Sequence, residues 1–426
     1  MNHRSSRKGA LRRCAAAILA AAMFTLGAAG ADADEAERIM GDIDGDGVVT
    51  SADALTILRH SVGIEQIDKS LLEYADLDTD GEVTSSDALL ALKGNVTPHI
   101  EFPETYTACC GERLNLKAKM EPADVYGDVK FEYLVGISES TDGMTDENGD
   151  PYKVLDITNT GRIKAFHPGT ATVKAVASNG MRAVCTVTVK DMVTSYTITS
   201  GSSSLKVTTH MMTNNDCYNM TDDFTKIDGV VVHSTATPGV MADRWYTAWN
   251  KPNTDAAVHS FLDDNGVYNY LPLDQTAWHA GQPANKTYLD FEICEPSGFY
   301  YEGNTVTGYD VYAQTPYFNK IWSNATLYTA FLCDRYGLTA DDVISHGEAG
   351  RMGIGTNHGD PDHWFVLHNK DMDDFRADVA KLLSQGIKVS SSTIVSSGMA
   401  PSGASDEFDE SEFEGIFAVW DDYDWR

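Results

Sequence analysis

Two stretches near the start of the chain are copies of one pattern: "DIDGDGVVTSAD", Asp42 to Asp53, and "DLDTDGEVTSSD", Asp76 to Asp87. Each puts Asp at loop positions one, three, five and twelve and Gly at six. That arrangement supplies hard carboxylate oxygens around a sharp turn, as a calcium loop needs. The side-chain ligands are then Asp42, Asp44, Asp46 and Asp53 in the first copy and Asp76, Asp78, Asp80 and Asp87 in the second. Val48 and Glu82 stand at position seven, where a loop of this kind offers a backbone carbonyl. Two Ca²⁺ ions are expected. An apolar helix signal follows each loop, "ALTILRHSVG" and "ALLALKGN", and none of comparable quality precedes the first. A small α unit of two loop-helix repeats is the expected fold.

This duplicated unit, bounded at residues 38–97, resembles a dockerin, the module that plugs cellulosomal enzymes into cohesin domains of a scaffold protein. The resemblance implies a cohesin-bearing scaffold as partner. It also implies that loop positions ten and eleven help to select the cohesin, here Ser51 and Ala52, then Ser85 and Ser86.

At 426 residues the chain exceeds one ordinary core, so a multidomain architecture is expected. A formal net charge of -31 argues against general affinity for nucleic acid or anionic membrane, since phosphate binding depends on Lys and Arg. Residues 1–33 read as a signal peptide: a basic segment, an apolar run from Cys14 to Leu26, then small residues in an Ala-x-Ala pattern ending at Ala31 or Ala33. The mature protein is therefore expected to be exported, extracellular or attached to a cell-surface scaffold. Six further cysteines lack metal-type spacing and permit disulfides without selecting a pairing.

Residues 98–192 alternate apolar and polar in short segments separated by turn residues, the pattern of an all-β sandwich. The stretch "ITNTGRIKAFHPGTATVKAVASNGMRAVCTVTV" resembles the bacterial immunoglobulin-like repeat. A spacer is the expected role, with His167 exposed in a "HPG" turn. Residues 193–204 are read as a linker, given their Ser, Thr and Gly content.

From 205 to 388 strand signals alternate with helical ones, which indicates a mixed α/β domain with a central sheet flanked by helices. "GVVVHSTATPG" ends an apolar strand in His233, and "SHGEAGRMGIGTNHGDPDHWF" packs His346, His358, Asp360, Asp362 and His363 into one glycine-rich stretch. Together with "AVHSFLDDNGVYNYLPLDQTAWHAG" and "YLDFEICEPSG", in that order, these resemble the zinc-dependent N-acetylmuramoyl-L-alanine amidases whose fold is shared with peptidoglycan recognition proteins.

The resemblance implies one catalytic Zn²⁺ held by His233, His346 and Asp360. Two imidazoles and one carboxylate leave a fourth position open, as a catalytic site needs. It implies Glu292 as the acid/base, with Glu295 as runner-up, and His358 as the second catalytic group. It places His259, Trp278 and His279 near the groove, where each either contacts sugar or peptide or packs the core. The implied reaction is zinc-activated attack by water on the amide between N-acetylmuramic acid and the L-alanine of the peptidoglycan stem peptide. Two other readings stay open: a module that binds peptidoglycan without cutting it, and a zinc endopeptidase acting within the stem peptide. Residues 389–426 read as a Ser-rich linker and an acidic tail with interleaved aromatics.

Overall fold

The computed structural model describes residues 39–94, 99–121, 129–136, 138–146, 148–178, 180–302 and 305–395. The expected signal peptide and the tail from 396 onward lie outside them. The chain divides into two compact units, Met1–Thr97 and Pro98–Arg426. No helix among the described residues is long and apolar enough to cross a membrane.

In the first unit the helices Ser51–Ser61 and Ser85–Gly94 follow the two acidic loops directly. Thr50 caps the first: its hydroxyl accepts from the amide of Ala52, while the Asp53 carboxylate accepts from the amide of Thr50 at 2.7 Å. Ala54 and Ile57 of one helix and Ala88 and Ala91 of the other hold corresponding places in the repeats and meet in one small core with Ile43, Ile67 and Ala75. The small residues let two short helices approach closely.

The second unit begins with an all-β portion of strands β1 (His99–Glu101), β2 (Thr105–Cys109), β3 (Arg113–Asn115), β4 (Lys119–Glu121), β5 (Phe131–Val135), β6 (Leu155–Ile157), β7 (Arg162–Ala165), β8 (Gly169–Ala177) and β9 (Arg182–Lys190). β2-β9-β8-β5 form one sheet, β3-β7-β6 a second, and β1 pairs with β4. The alternation read from the sequence holds: Ala171, Val173, Ala175 and Ala177 of β8 point inward, as do Cys185, Val187 and Val189 of β9. His167 departs from its expectation. It is buried, stacks on Tyr152, and bonds through Nδ1 to Asp142 (2.8 Å) and through Nε2 to Asn219 (2.7 Å).

The expected linker at 193–204 is instead a β-hairpin, β10 (Thr194–Ser200) and β11 (Ser203–Thr209), paired from Thr194↔Thr209 to Ser200↔Ser203. Thr suits a pleated strand as well as a loop, and the alternating Ile198, Leu205 and Val207 are buried. The remaining strands are β12 (Gly229–Ser234), β13 (Ser260–Leu262), β14 (Val267–Asn269), β15 (Tyr288–Ile293), β16 (Tyr300–Glu302), β17 (Thr305–Gly308), β18 (Val343–Ser345), β19 (Lys388–Val389) and β20 (Thr393–Ile394). A nine-stranded mixed sheet runs β18-β12-β15-β13-β14-β11-β10-β19, with β20 also on β10. The start of the expected C-terminal linker therefore closes the edge of this sheet.

Alternation along the central strands assigns the two faces of the sheet. Val230 and Val232 of β12 and Leu289, Phe291 and Ile293 of β15 enter one core with the helices Val311–Tyr336 and Met372–Gln385. Val231 packs on the other face with Ile344 and Ala349. By the same period His233, Asp290 and Glu292 face away from the long helix, and β18, β12 and β15 run parallel. Side chains at the carboxyl ends of parallel strands meet at one lip, the usual place for a site in such sheets.

Candidate metal centre

His233 lies directly across from Glu292 in the β12/β15 register, and Ser345, which pairs with Val232, hands the chain to His346. Ser345 caps the short helix His346–Met352 by accepting from the amide of Glu348. Asp360 arrives from the loop beyond that helix, which folds back tightly. A Cβ on Gly350 would stand 2.8 Å from the carbonyl oxygen of Thr356 and 3.2 Å from Cα of Asn357, so glycine permits the crossing. Thr356 is then fixed by donating its amide to the carbonyl of Ala280 at 2.7 Å, and its hydroxyl meets His346 Nε2 at 2.8 Å.

The result brings His233, His346 and Asp360 together, with ligand atoms all within 4.8 Å of one another. His233 Nδ1 is 3.3 Å from Asp360 Oδ2, and His346 Nδ1 is 3.3 Å from Oδ1 of the same carboxylate. A tetrahedral zinc ion with bonds of about 2.0–2.1 Å needs its ligand atoms roughly 3.3 Å apart, so the donors suit that ion. His233 Nδ1 is buried without a hydrogen-bond partner, as expected of a nitrogen whose lone pair is reserved for a metal. Burial would raise the Asp360 carboxyl, but the imidazoles of His346 and His233 outweigh it and hold the group well below the usual carboxylate range.

Glu292 is buried beside this set, with Oε1 4.0 Å from His233 Nδ1 and Oε2 without a hydrogen-bond partner. Burial first, then the neighbouring carboxylates of Asp360, Asp290 and Glu295, push its pKa well above the ordinary value. Glu295 is differently engaged. It accepts from the hydroxyls of Ser234 (2.8 Å) and Tyr301 (2.6 Å) and lies 3.2 Å from His363 Nε2. Only Glu292 has an oxygen to spare. His358 flanks the other side, its ring 4.6 Å from that of His346, and burial lowers its pKa. Asp362 turns to Arg351 at 3.3 Å.

His259, Trp278 and His279 are not offered to a groove. All three are buried. His259 spends both ring nitrogens internally, Nδ1 on Asp290 at 2.7 Å and Nε2 on the carbonyl of Gln275 at 2.7 Å. His279 Nδ1 meets His233 Nε2 at 3.0 Å, and Trp278 packs in an apolar cluster. Substrate contact is thereby corrected to packing and support, because a histidine in a polar-looking motif gives no sign of which face its strand buries. Asp290, which accepts from His259, belongs to this support although no motif marks it. The alternation of "YLDFEI" places it on the same face as Glu292, a signal that was available.

In the acidic loops, Asp42, Asp44 and Asp53 form one group able to hold a cation, and Asp76, Asp78 and Asp80 another. Asp53 accepts from the amides of Ile43, Asp44 and Thr50, and Asp87 repeats the pattern with Leu77, Asp78 and Thr84. Ser51, Ala52, Ser85 and Ser86 are exposed at the starts of the two helices.

Residues 223–363 match the family model described as N-acetylmuramoyl-L-alanine amidase, and residues 40–94 match that of the dockerin type I domain. Protein Ami of Listeria monocytogenes is 28% identical over 158 residues, covering 35% of this chain and 15% of that protein. The N-acetylmuramoyl-L-alanine amidase CwlH of Bacillus subtilis is 38% identical over 72 residues, 16% of this chain and 29% of that one. The chain thus spans well under two thirds of either relative. Among solved structures, Staphylococcus aureus hydrolase AmiA in complex with its ligand aligns at 22% identity and a TM-score of 0.33, covering 40% of this chain and 82% of that chain.

Proposed function

We propose that this chain, which carries an N-acetylmuramoyl-L-alanine amidase domain and a dockerin domain, is an extracellular peptidoglycan hydrolase mounted on a cohesin-bearing scaffold. It cleaves the amide between N-acetylmuramic acid and the L-alanine of the stem peptide. The observation that carries the reading is the meeting of His233, His346 and Asp360 beside a buried Glu292 with an unbonded oxygen, inside the segment that matches the amidase family. The all-β portion is proposed as an immunoglobulin-like sandwich.

His233, His346 and the Asp360 carboxylate would hold a zinc ion, which when bound would supply Lewis acidity toward the amide carbonyl and the attacking water. The chain's own groups handle the protons. Glu292, which has an unbonded oxygen, would accept the proton of the attacking water and return it to the departing amine. His358, its ring 4.6 Å from that of His346, would donate to the carbonyl oxygen as charge develops there. The dockerin loops would each hold one Ca²⁺, through Asp42, Asp44, Asp46, Val48 and Asp53 and through Asp76, Asp78, Asp80, Glu82 and Asp87, and would present the exposed Ser51, Ala52, Ser85 and Ser86 to the cohesin.

Mass spectrometry of purified peptidoglycan after digestion tests the reaction. Release of intact stem peptides with a free L-alanine amino terminus is expected. Cuts inside the stem would make the protein an endopeptidase, and binding with no new amine would make it a recognition module.

A further inference from the structure

Below the metal centre runs a buried row of three side chains that the proposed reaction does not use. His233 Nε2 meets His279 Nδ1 at 3.0 Å, His279 Nε2 faces Asp290 Oδ2 at 3.5 Å, and Asp290 Oδ2 takes His259 Nδ1 at 2.7 Å. Asp290 Oδ1 also accepts the backbone amide of His259 at 2.8 Å. The proton positions follow from the partners. His233 must keep its Nδ1 lone pair free, so Nε2 carries the hydrogen and donates to His279 Nδ1. His279 then has its hydrogen on Nε2, which makes no hydrogen bond and faces the Asp290 carboxylate across 3.5 Å. At the far end His259 faces a carboxylate on one side and the carbonyl of Gln275 on the other, both acceptors, so both of its nitrogens carry hydrogen. His259 is an imidazolium paired with the Asp290 carboxylate. Burial works against that charge, and Asp290 raises the His259 pKa in spite of it.

The far end of the row is joined to the all-β portion through the segment 217–223. Gln275, whose carbonyl takes His259, donates its amide to the carbonyls of Cys217 (3.2 Å) and Tyr218 (2.8 Å) and bridges to Asp223. Tyr218 donates its hydroxyl to the carbonyl of Phe166 at 2.7 Å, beside His167 on Asn219. Arg113, partly buried, pairs at 3.1 Å with both Asp274, which precedes Gln275, and Asp223, which faces it across the bridge, and Lys164 adds to Asp223. Ala277 and Trp278 lie in one apolar cluster with Leu116, Val154 and Val187 of the all-β portion.

We infer that the row His279–Asp290–His259 positions His233 for its metal, and that the all-β portion anchors that row through Gln275 rather than acting as a spacer. The inference rests on the ligand assignment proposed above. Groups that orient a metal-binding histidine from behind typically alter metal affinity 10–100-fold when removed.

The test is zinc affinity of the full chain, by competition with a chromogenic chelator, together with the absorption spectrum of the cobalt-loaded protein. His279→Leu removes the acceptor for His233 and is expected to weaken zinc about 10–100-fold and to alter the cobalt spectrum. His279→Asn, which returns an acceptor near the place of Nδ1, is expected to recover most of the affinity. Equal affinity in wild type and His279→Leu, or equal loss in Leu and Asn variants, overturns the positioning role. Arg113→Met with Lys164→Met is expected to weaken zinc several-fold, and unchanged affinity and spectrum would return the all-β portion to a spacer. A wild type that binds no zinc, or a His233→Ala variant that binds it as tightly, sinks the ligand assignment itself, which separates that failure from failure of the row.

Discussion

The acidic loops and the proposed metal centre each gather candidate ligand atoms into one place, in opposite ways. In the loops every donor comes from one dozen consecutive residues, and Asp53 is tied to the amides of its own loop. In the centre His233, His346 and Asp360 come from two strand ends and the loop beyond the helix His346–Met352, over a sheet whose apolar core does not include them. Fold and metal site are thus one object in the loops. In the centre the candidate ligands and the apolar core are different residues.

That contrast predicts the largest effect. Asp360→Ala is expected to reduce amide cleavage to background and zinc content from one equivalent to none, while far-ultraviolet dichroism and the melting temperature stay near wild type. Full activity with bound zinc would disprove the ligand assignment and direct attention to Asp362. Glu292→Gln comes next, with kcat down about 10²- to 10⁴-fold as for loss of a general acid/base, and zinc stoichiometry unchanged. A drop of less than about tenfold would transfer the role to Glu295. In the loops, Asp53→Ala with Asp87→Ala is expected to abolish cohesin binding and to melt the helices Ser51–Ser61 and Ser85–Gly94 together with calcium loss, because both carboxylates are ligand and cap at once. Hydrolysis of soluble muropeptides serves as the control. Retained cohesin binding would break the comparison.

The same contrast explains what the sequence made legible. The loops were readable residue by residue because their information is local. His233 is legible as the end of an apolar strand, whereas Glu292 is reached only through the family resemblance, and the strand register sets the two side by side. The roles of His259 and His279 were not, because their partners Asp290, Gln275 and His233 lie on other elements and only the sheet register brings them together. The misread hairpin at 194–209 has a similar cause. Its Ser and Thr residues fit a loop or a strand equally, and the parallel pairing of β11 with β14 decides between them.

The smallest effect separates the two regions by the sign of their pH dependence. Burial raises the Asp53 and Asp87 carboxyls, but the amides of their own loops lower them further, so the net shift is downward. A depressed carboxylate stabilises the fold above its unfolded pKa of about 3.9 and loses that contribution as pH falls through the folded value. His363 is shifted the other way. Burial lowers it, but the Glu295 carboxylate at 3.2 Å overcomes this and raises it above its ordinary value, with the Tyr301 oxygen and the carbonyl of Gly359 also facing its ring. Its contribution is complete below about pH 6.5 and is lost as pH rises through the raised folded value. Calcium-free protein should therefore weaken in its loops toward acid and beside the hydrolytic centre toward base. Denaturation of wild type and His363→Gln between pH 6 and 9 reads the second arm: a stability difference on the order of 1 kcal/mol is expected at pH 6, shrinking toward pH 9. Parallel curves would show that the Glu295–His363 contact does not carry the charge assigned to it.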